Sequence, residues 1–158
     1  MQQDGSAGLP AGYRNVNSIA QFTTSSIEET LRAGEQFAAG LKPGDIVQLR
    51  GELGAGKTHF VKGVARFFRI PEDEVQSPTF SIVHEYSGQV TIYHVDAYRL
   101  NRPEEALEFG LEEYLYGDGI CLIEWPERIA SLLPDNCRVV EIAHIDQNKR
   151  QIMIHRLD

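Results

Sequence analysis

The feature that most constrains this chain is the octapeptide from Gly51 to Thr58, G-E-L-G-A-G-K-T, which matches the phosphate-binding pattern G-x-x-x-x-G-K-[ST]. Glycines at 54 and 56 let the backbone turn tightly, so that successive amide groups point at phosphate oxygens. The Lys57 side chain is placed to reach the β- and γ-phosphates, and the Thr58 hydroxyl is placed to coordinate Mg²⁺. We therefore predict a nucleotide-binding segment made of Glu52, Leu53, Gly54, Ala55, Gly56, Lys57 and Thr58.

A phosphate-binding loop of this kind needs a strand before it and a helix after it. Ile46, Val47 and Leu49 form a short β-type run directly upstream. Downstream, apolar residues recur with the spacing of a helix that buries one face. They are Phe60, Val61, Val64, Ala65 and Phe68. This context favours a true phosphate site over a glycine turn that binds nothing.

Length and charge set the broad class. At 158 residues the chain can bury one core, so we predict a single domain over residues 18–158 and a flexible N-terminal extension over residues 1–17. The start lacks a basic segment followed by an apolar one, and no apolar stretch is long enough to span a membrane, which predicts a cytoplasmic protein with no membrane partner. A net charge of −8 argues against direct binding of DNA or RNA.

Cys121 and Cys137 lie in apolar runs and are expected to be buried thiols; a disulfide or a metal pair is the alternative.

Helical and β-type patterns alternate along the rest of the chain. A helix is expected from Ser26 to Ala39, with a serine–glutamate capping box at its start. Its inward face would carry Ile27, Leu31, Gly34, Ala38 and Leu41. The other expected elements are a short edge strand at Ile19–Phe22, a hairpin of Phe80–Tyr86 and Val90–Tyr98, a helical segment from Arg102 to Tyr116 broken near Gly110, a strand at Ile120–Trp125, a short helix at Pro126–Leu133, and a hairpin of Cys137–Ile145 and Gln151–Leu157. Together they predict a three-layer α/β domain of the P-loop NTPase type, with a mixed sheet that has a parallel centre and antiparallel additions.

Two carboxylates follow apolar strands and could complete a nucleotide site. Asp96 ends the run that begins at Val90, and Glu124 ends the run that begins at Ile120. Because ligands collect at the carboxyl ends of parallel strands, we expect both side chains near the phosphate loop, where they would bind Mg²⁺ or activate water. The alternatives are a strand cap for Asp96 and a surface position for Glu124. His94, on the same strand face as Asp96, could be a metal ligand, but two protein ligands do not make a zinc site.

Other residues near these strands have more than one interpretation. Thr79, after Pro78, could sense the γ-phosphate or Mg²⁺, or could simply open a strand. Asp96 with Arg99 could bind an acceptor, as in small-molecule kinases, or Arg99 could form a structural ion pair. The absence of N-K-x-D after the loop favours adenine over guanine. The acidic segment from Glu104 to Asp118 could be a solvated face or a docking surface for a basic partner.

Four motifs stand in order along the chain: G-E-L-G-A-G-K-T, S-P-T-F at Ser77–Phe80, Y-H-V-D-A-Y-R-L at Tyr93–Leu100 and I-E-W-P-E at Ile123–Glu127. Together they resemble the TsaE (YjeE) family of bacterial P-loop ATPases, and the likeness covers roughly residues 19–145. The resemblance implies a role in forming threonylcarbamoyladenosine at position 37 of tRNAs that read codons beginning with A. It also implies action with TsaB and TsaD, which would hold the tRNA while ATP binding and hydrolysis reset the complex.

The resemblance assigns roles to individual residues of this chain. Lys57 and Thr58 become ligands of the phosphates and Mg²⁺, and Asp96 and Glu124 become the acidic pair that binds metal or activates water. Thr79 becomes the switch-like catalytic hydroxyl. The remaining assignments are Trp125 beside the nucleotide, and Thr24 and the last hairpin loop as adenine contacts.

Hydrolysis in this class usually depends on an arginine finger, and no arginine can be placed as one from the sequence. We therefore expect slow ATP hydrolysis by the chain alone and faster hydrolysis with partners. A small-molecule kinase and a nucleotide-gated binding module remain the alternative functions.

Overall fold

The computed structural model describes residues 16–52, 54–75 and 82–157. Within these residues lie seven strands and four α-helices. The strands are β1 (Val16–Thr24), β2 (Ile46–Arg50), β3 (Val83–Ser87), β4 (Thr91–Asp96), β5 (Ile120–Glu124), β6 (Arg138–His144) and β7 (Arg150–Leu157). The helices are α1 (Ile27–Ala38), α2 (Lys57–Phe67), α3 (Glu104–Glu108) and α4 (Leu111–Leu115), with short 3-10 helices at Glu72–Glu74 and Pro126–Leu132.

The described strands form one sheet in the order β1-β7-β6-β2-β5-β4-β3. Strands β6, β2, β5 and β4 run parallel to their neighbours within this group. Strands β7 and β1 add antiparallel on one side, and β3 adds antiparallel to β4 on the other. The predicted mixed sheet with a parallel centre and antiparallel additions is therefore confirmed.

Helices cover both faces of the sheet. On one face, α1 and α2 contribute Phe37, Phe60 and Val64 to a core that includes Leu122 and Val140 of the sheet. On the other face, α3, α4 and the 3-10 helix at Pro126–Leu132 pack over a second core. That core contains Val95, Ala106, Leu111, Ile123 and Ile129. These layers confirm the three-layer α/β prediction.

Helices α1 and α2 touch through two glycines. A Cβ atom built on Gly63 would lie 2.0 Å from the Leu31 carbonyl oxygen, and one built on Gly34 would lie 2.3 Å from the Phe60 carbonyl oxygen. Each contact leaves no room for a side chain. The two glycines thus set how closely α1 approaches α2, the helix that follows the phosphate loop.

Helix α1 starts with the predicted capping box: the Ser26 hydroxyl accepts a hydrogen bond from the Glu29 amide, and the Glu29 carboxylate accepts one from the Ser25 amide. The prediction that Ile27 faces inward is wrong, because its side chain is 59% exposed. Ile27 is the first residue of α1 and lies at a cavity rim described below, whereas Leu31 and Ala38 are buried as expected.

Two further boundaries between elements of secondary structure depend on residues in the left-handed backbone conformation. Gly110, with φ of 82°, separates α3 from α4, as the sequence predicts. Trp125, with φ of 58° and ψ of 50°, turns the chain sharply after β5, so the strand ends one residue earlier than predicted. A non-glycine residue in this region is uncommon and often marks a functional site.

Both cysteines are free and buried, as predicted. Among the described helices, none combines the length and the apolar character that crossing a membrane requires.

Candidate nucleotide site

The phosphate loop connects the end of β2 to the start of α2. Gly54 and Gly56 have φ values of 79° and 107°, in the left-handed region that favours glycine. No atom lies within 4 Å of a Cβ built on Gly54, so backbone conformation rather than space requires glycine there. The loop therefore has the tight turn that was predicted, and it delivers the N-terminus of an 11-residue helix to its open side. Leu53 lies outside the described residues.

Lys57 is buried beneath this loop. Its ammonium donates to the Gly51 carbonyl oxygen at 2.7 Å, lies 3.9 Å from Glu124 Oε1 and stands 4.3 Å from the centre of the Trp125 ring. Burial lowers the pKa of Lys57, and the charges of Glu124 and Asp96 oppose that shift. The cation is thus held at the head of α2 by a carbonyl, a carboxylate and an aromatic face.

The two predicted carboxylates lie side by side. Strand β5 is hydrogen-bonded between β2 and β4, and the register pairs Asp96 with Glu124 at their carboxyl ends. Glu124 is only 5% exposed. Asp96 Oδ1 accepts a hydrogen bond from the Tyr98 amide at 2.9 Å, while burial, and to a smaller degree the Glu124 charge, raises the pKa of Asp96. The surface alternative for Glu124 is wrong, because the residue is buried, whereas Asp96 both caps the end of its strand and lines the cavity described next.

A cavity of about 520 Å³ opens between these elements. Its floor carries the phosphate loop, Lys57 and both carboxylates, and its sides come from the start of α1 and the β6–β7 hairpin loop. The lining residues are Ser26, Ile27, Thr30, Gly54, Gly56, Lys57, Thr58, His59, Asp96, Tyr98, Arg99, Glu124, Trp125, Gln147, Asn148 and Arg150. The size is that of a small-molecule or cofactor site.

The structure does not bring every predicted residue to this cavity. Thr24 is buried, and its hydroxyl is 2.9 Å from the Thr30 hydroxyl, so Thr30 rather than Thr24 faces the cavity. Within the loop, Glu52 accepts the Ala55 amide through its carbonyl oxygen, and the Ala55 side chain is buried. Thr79 lies outside the described residues.

The cavity also carries two arginines: Arg99, for which the sequence allows an acceptor-binding role or a structural ion pair, and Arg150, which the sequence does not single out. The Arg150 Nε donates to the Ala55 carbonyl oxygen at 3.0 Å, while Nη1 reaches three carbonyls of its own hairpin loop, at 3.2 to 3.4 Å. Arg150 reaches the site because of the sheet topology. Strand β6 lies parallel to β2, so the turn between β6 and β7 emerges beside the phosphate loop that follows β2. The guanidinium thus ties the hairpin to the loop.

The oxygen donors at the floor fit Mg²⁺. The Thr58 hydroxyl and the carboxylates of Asp96 and Glu124 line the same space, and Mg²⁺ binds through one or two carboxylates while keeping phosphate oxygens and water as its other ligands. His94 does not fit a metal, because Nδ1 lies 3.1 Å from the Tyr86 hydroxyl and Nε2 lies 2.6 Å from Glu124. Both ring nitrogens are therefore occupied within the protein.

Comparisons with known proteins identify the family of this chain. The family described as threonylcarbamoyl adenosine biosynthesis protein TsaE matches residues 24–152. Proteins named tRNA threonylcarbamoyladenosine biosynthesis protein TsaE are 41% identical in Treponema pallidum, over 82% of this chain and 95% of that one, and 41% identical in Bacillus subtilis, over 84% and 82%. A crystal structure of Bacillus subtilis YdiB superposes with a TM-score of 0.75 at 34% identity, covering 92% of this chain and 89% of that one. These matches confirm the P-loop NTPase-like fold, and the chain belongs to the TsaE family of tRNA threonylcarbamoyladenosine biosynthesis proteins.

Proposed function

We propose that this chain is a Mg²⁺-dependent subunit that binds ATP and hydrolyses it slowly. It would act with the TsaB–TsaD complex in forming threonylcarbamoyladenosine at position 37 of tRNAs that read codons beginning with A. The ATPase part is supported by the strand register, which sets Asp96 beside Glu124, and by the position of Glu124, whose Oε1 lies 3.9 Å from the ammonium of Lys57 in the phosphate loop. The tRNA part rests on family membership.

The floor of the cavity supplies the phosphate chemistry. Loop amides and the N-terminus of α2 favour a bound polyphosphate, and Lys57 would exchange its bond to the Gly51 carbonyl for phosphate oxygens. Bound Mg²⁺ would neutralise charge on those oxygens, held by Thr58, Asp96 and Glu124 directly or through water. The buried carboxylate of Glu124 is the candidate to orient the attacking water and accept its proton.

The sides of the cavity are placed to hold the nucleoside. Ile27 presents an exposed apolar side chain at the start of α1, and Gln147 and Asn148 present amides from the hairpin loop. An apolar surface for the base with amides that can pair with its edge is the usual form of such a pocket. These residues, rather than Thr24, are our candidates for adenine contacts.

Slow turnover by the chain alone is consistent with how Arg150 is held. Its guanidinium donates to carbonyls of the phosphate loop and of its own hairpin, so these N–H groups are already engaged within the protein. An arginine finger typically contributes a factor of about 10³ to 10⁵ to turnover in this class. The TsaB–TsaD complex would complete the site or reposition Arg150 or Arg99. With a net charge of −8, the chain itself is poorly suited to hold tRNA.

The proposal is tested by phosphate release from Mg-ATP, with the chain alone, with the TsaB–TsaD complex, and with that complex plus tRNA. We expect slow release alone and at least tenfold faster release in the complex, together with modified tRNA only when all components are present. Equal turnover in all three mixtures would refute the partner-dependent part. Transfer of labelled phosphate to a small acceptor instead of water would identify a kinase, for which Arg99 at the cavity wall would hold the acceptor.

A further inference from the structure

A chain of buried side chains lies behind Glu124, crossing three neighbouring strands. The Tyr86 hydroxyl on β3 is 3.1 Å from His94 Nδ1 on β4, and His94 Nε2 is 2.6 Å from Glu124 Oε2 on β5. Tyr86 is 3% exposed, His94 is fully buried and Glu124 is 5% exposed. Neither Tyr86 nor His94 lines the cavity, so neither has a part in binding the nucleotide.

The hydrogen-bond chemistry fixes where the protons lie. An ionised carboxylate can only accept, so His94 Nε2 carries a hydrogen and donates it to Glu124 Oε2. In the neutral imidazole Nδ1 is then an acceptor, and the Tyr86 hydroxyl donates to it. The carboxylate thus selects the tautomer of His94, and the Tyr86 hydroxyl, which can donate or accept, satisfies the remaining ring nitrogen.

This bond also fixes the direction of the carboxylate. A glutamate side chain has three rotatable bonds, and anchoring Oε2 at the histidine leaves Oε1 turned toward the Lys57 ammonium, 3.9 Å away. We propose that His94 is a positioning residue that aims the Glu124 carboxylate into the cavity for ATP hydrolysis, and that the hydrogen bond from Tyr86 holds the His94 ring in the orientation that this requires. This inference rests on the proposed ATPase function. Residues that orient a catalytic side chain through a hydrogen bond commonly affect activity without touching the substrate.

The competing interpretation is a core histidine that only satisfies its own polar atoms. The chain offers a matched control in His155 on β7, which is also fully buried and lies 3.6 Å from the carboxylate of Glu141. His155 does not line the cavity. A purely structural effect should therefore be the same at both histidines, whereas a positioning effect should appear only at His94.

The test uses the full chain with the TsaB–TsaD complex and measures turnover, ATP affinity by calorimetry and the melting temperature. For His94→Leu we expect kcat to fall at least 30-fold while the Kd for ATP stays within threefold. His94→Gln keeps a side-chain N–H where Nε2 lies, and it should recover turnover to within about fivefold of the native value. Tyr86→Phe should lower kcat three- to tenfold, and His155→Leu should lower the melting temperature but leave kcat within twofold.

A second readout does not depend on turnover. In ¹⁵N-edited spectra of the histidine rings, we expect the hydrogen of His94 on Nε2, both in the native protein and in Tyr86→Phe, because the Glu124 carboxylate requires that tautomer. A native hydrogen on Nδ1 would overturn the inference, as would native turnover in His94→Leu or a His94→Gln that is folded but no better than His94→Leu. If His94→Leu does not fold, Tyr86→Phe and the spectra decide. Native protein that never releases phosphate would instead refute the proposed function.

Discussion

Replacing Glu124 by glutamine separates binding from hydrolysis, because it removes the charge and keeps the shape. Across 3.9 Å, the gross attraction between Glu124 and Lys57 is about 4 kcal/mol at an effective dielectric constant of 20, before desolvation is subtracted. Without that carboxylate, the pKa of Lys57 should fall further, since Glu124 is the largest influence that raises it. A bound triphosphate would restore the lost negative charge beside the lysine. We therefore expect Glu124→Gln to bind ATP at least as tightly as the native protein.

Turnover should respond in the opposite direction. Loss of a general base typically lowers kcat by about 10² to 10⁴, which is roughly 3 to 5 kcal/mol of transition-state stabilisation. The assay is phosphate release at saturating Mg-ATP with the TsaB–TsaD complex, with calorimetry for the Kd. Glu127→Gln is the matched control, because Glu127 also acts on the Lys57 charge but is exposed and does not line the cavity. A Glu124→Gln protein with kcat within threefold of native, or with ATP affinity lowered tenfold, would refute the assignment.

Three other substitutions test parts of the site separately. Arg150→Met removes the bonds between the hairpin and the phosphate loop and should weaken ATP binding about tenfold, or roughly 1.4 kcal/mol, in calorimetry; unchanged affinity would show that the hairpin does not support the loop. Gly63→Ala puts a methyl group 2.0 Å from the Leu31 carbonyl oxygen and should lower stability by roughly 1–3 kcal/mol, about 2–12 °C in melting temperature. Gly40→Ala should shift the melting temperature little, because its Cβ would meet nothing nearer than the Arg138 guanidinium at 3.4 Å. Asp96→Asn should have a higher melting temperature than the native protein at pH 7.5. The pKa of Asp96 is raised in the folded state, so the stability of the native protein falls as the pH rises from about 3.8 through that pKa. The difference in melting temperature should therefore shrink in acid, and a difference that does not change with pH would contradict the direction of the pKa shift.

The floor of the site could be predicted because its signals are local. The phosphate loop needs its own glycines, lysine and threonine, and an apolar run that ends in a carboxylate points to the carboxyl edge of a parallel strand. Asp96 and Glu124 meet because parallel neighbours bring those ends together, which the register bears out. The same reasoning placed the hairpins and the mixed sheet.

The walls of the site could be predicted only in part. The family resemblance assigned Trp125 and the last hairpin loop to the nucleotide site, and both line the cavity, but the contacts that hold the walls together link residues distant in sequence. Arg150 reaches Ala55 across 95 residues, and only the parallel pairing of β6 with β2 brings them together. Helical spacing assigned Ile27 to the buried face, but the first turn of α1 projects past the sheet to the cavity rim. The Tyr86–His94–Glu124 chain crosses three strands whose register the sequence does not specify. Thr79 stays a prediction, as does a flexible N-terminal extension, although Val16 and Asn17 of its predicted range 1–17 belong to β1.

The central claim is that this cavity binds Mg-ATP through the phosphate loop. Calorimetric titration of the chain with ATP, with Mg²⁺ and with a chelator, tests it most directly when native protein is compared with Lys57→Ala and with Lys62→Ala, a second lysine on α2 that does not line the cavity. We predict Mg²⁺-dependent binding by the native protein and by Lys62→Ala, and at least 100-fold weaker binding by folded Lys57→Ala, a loss of about 2.7 kcal/mol. Equal ATP affinity in all three proteins would contradict the account.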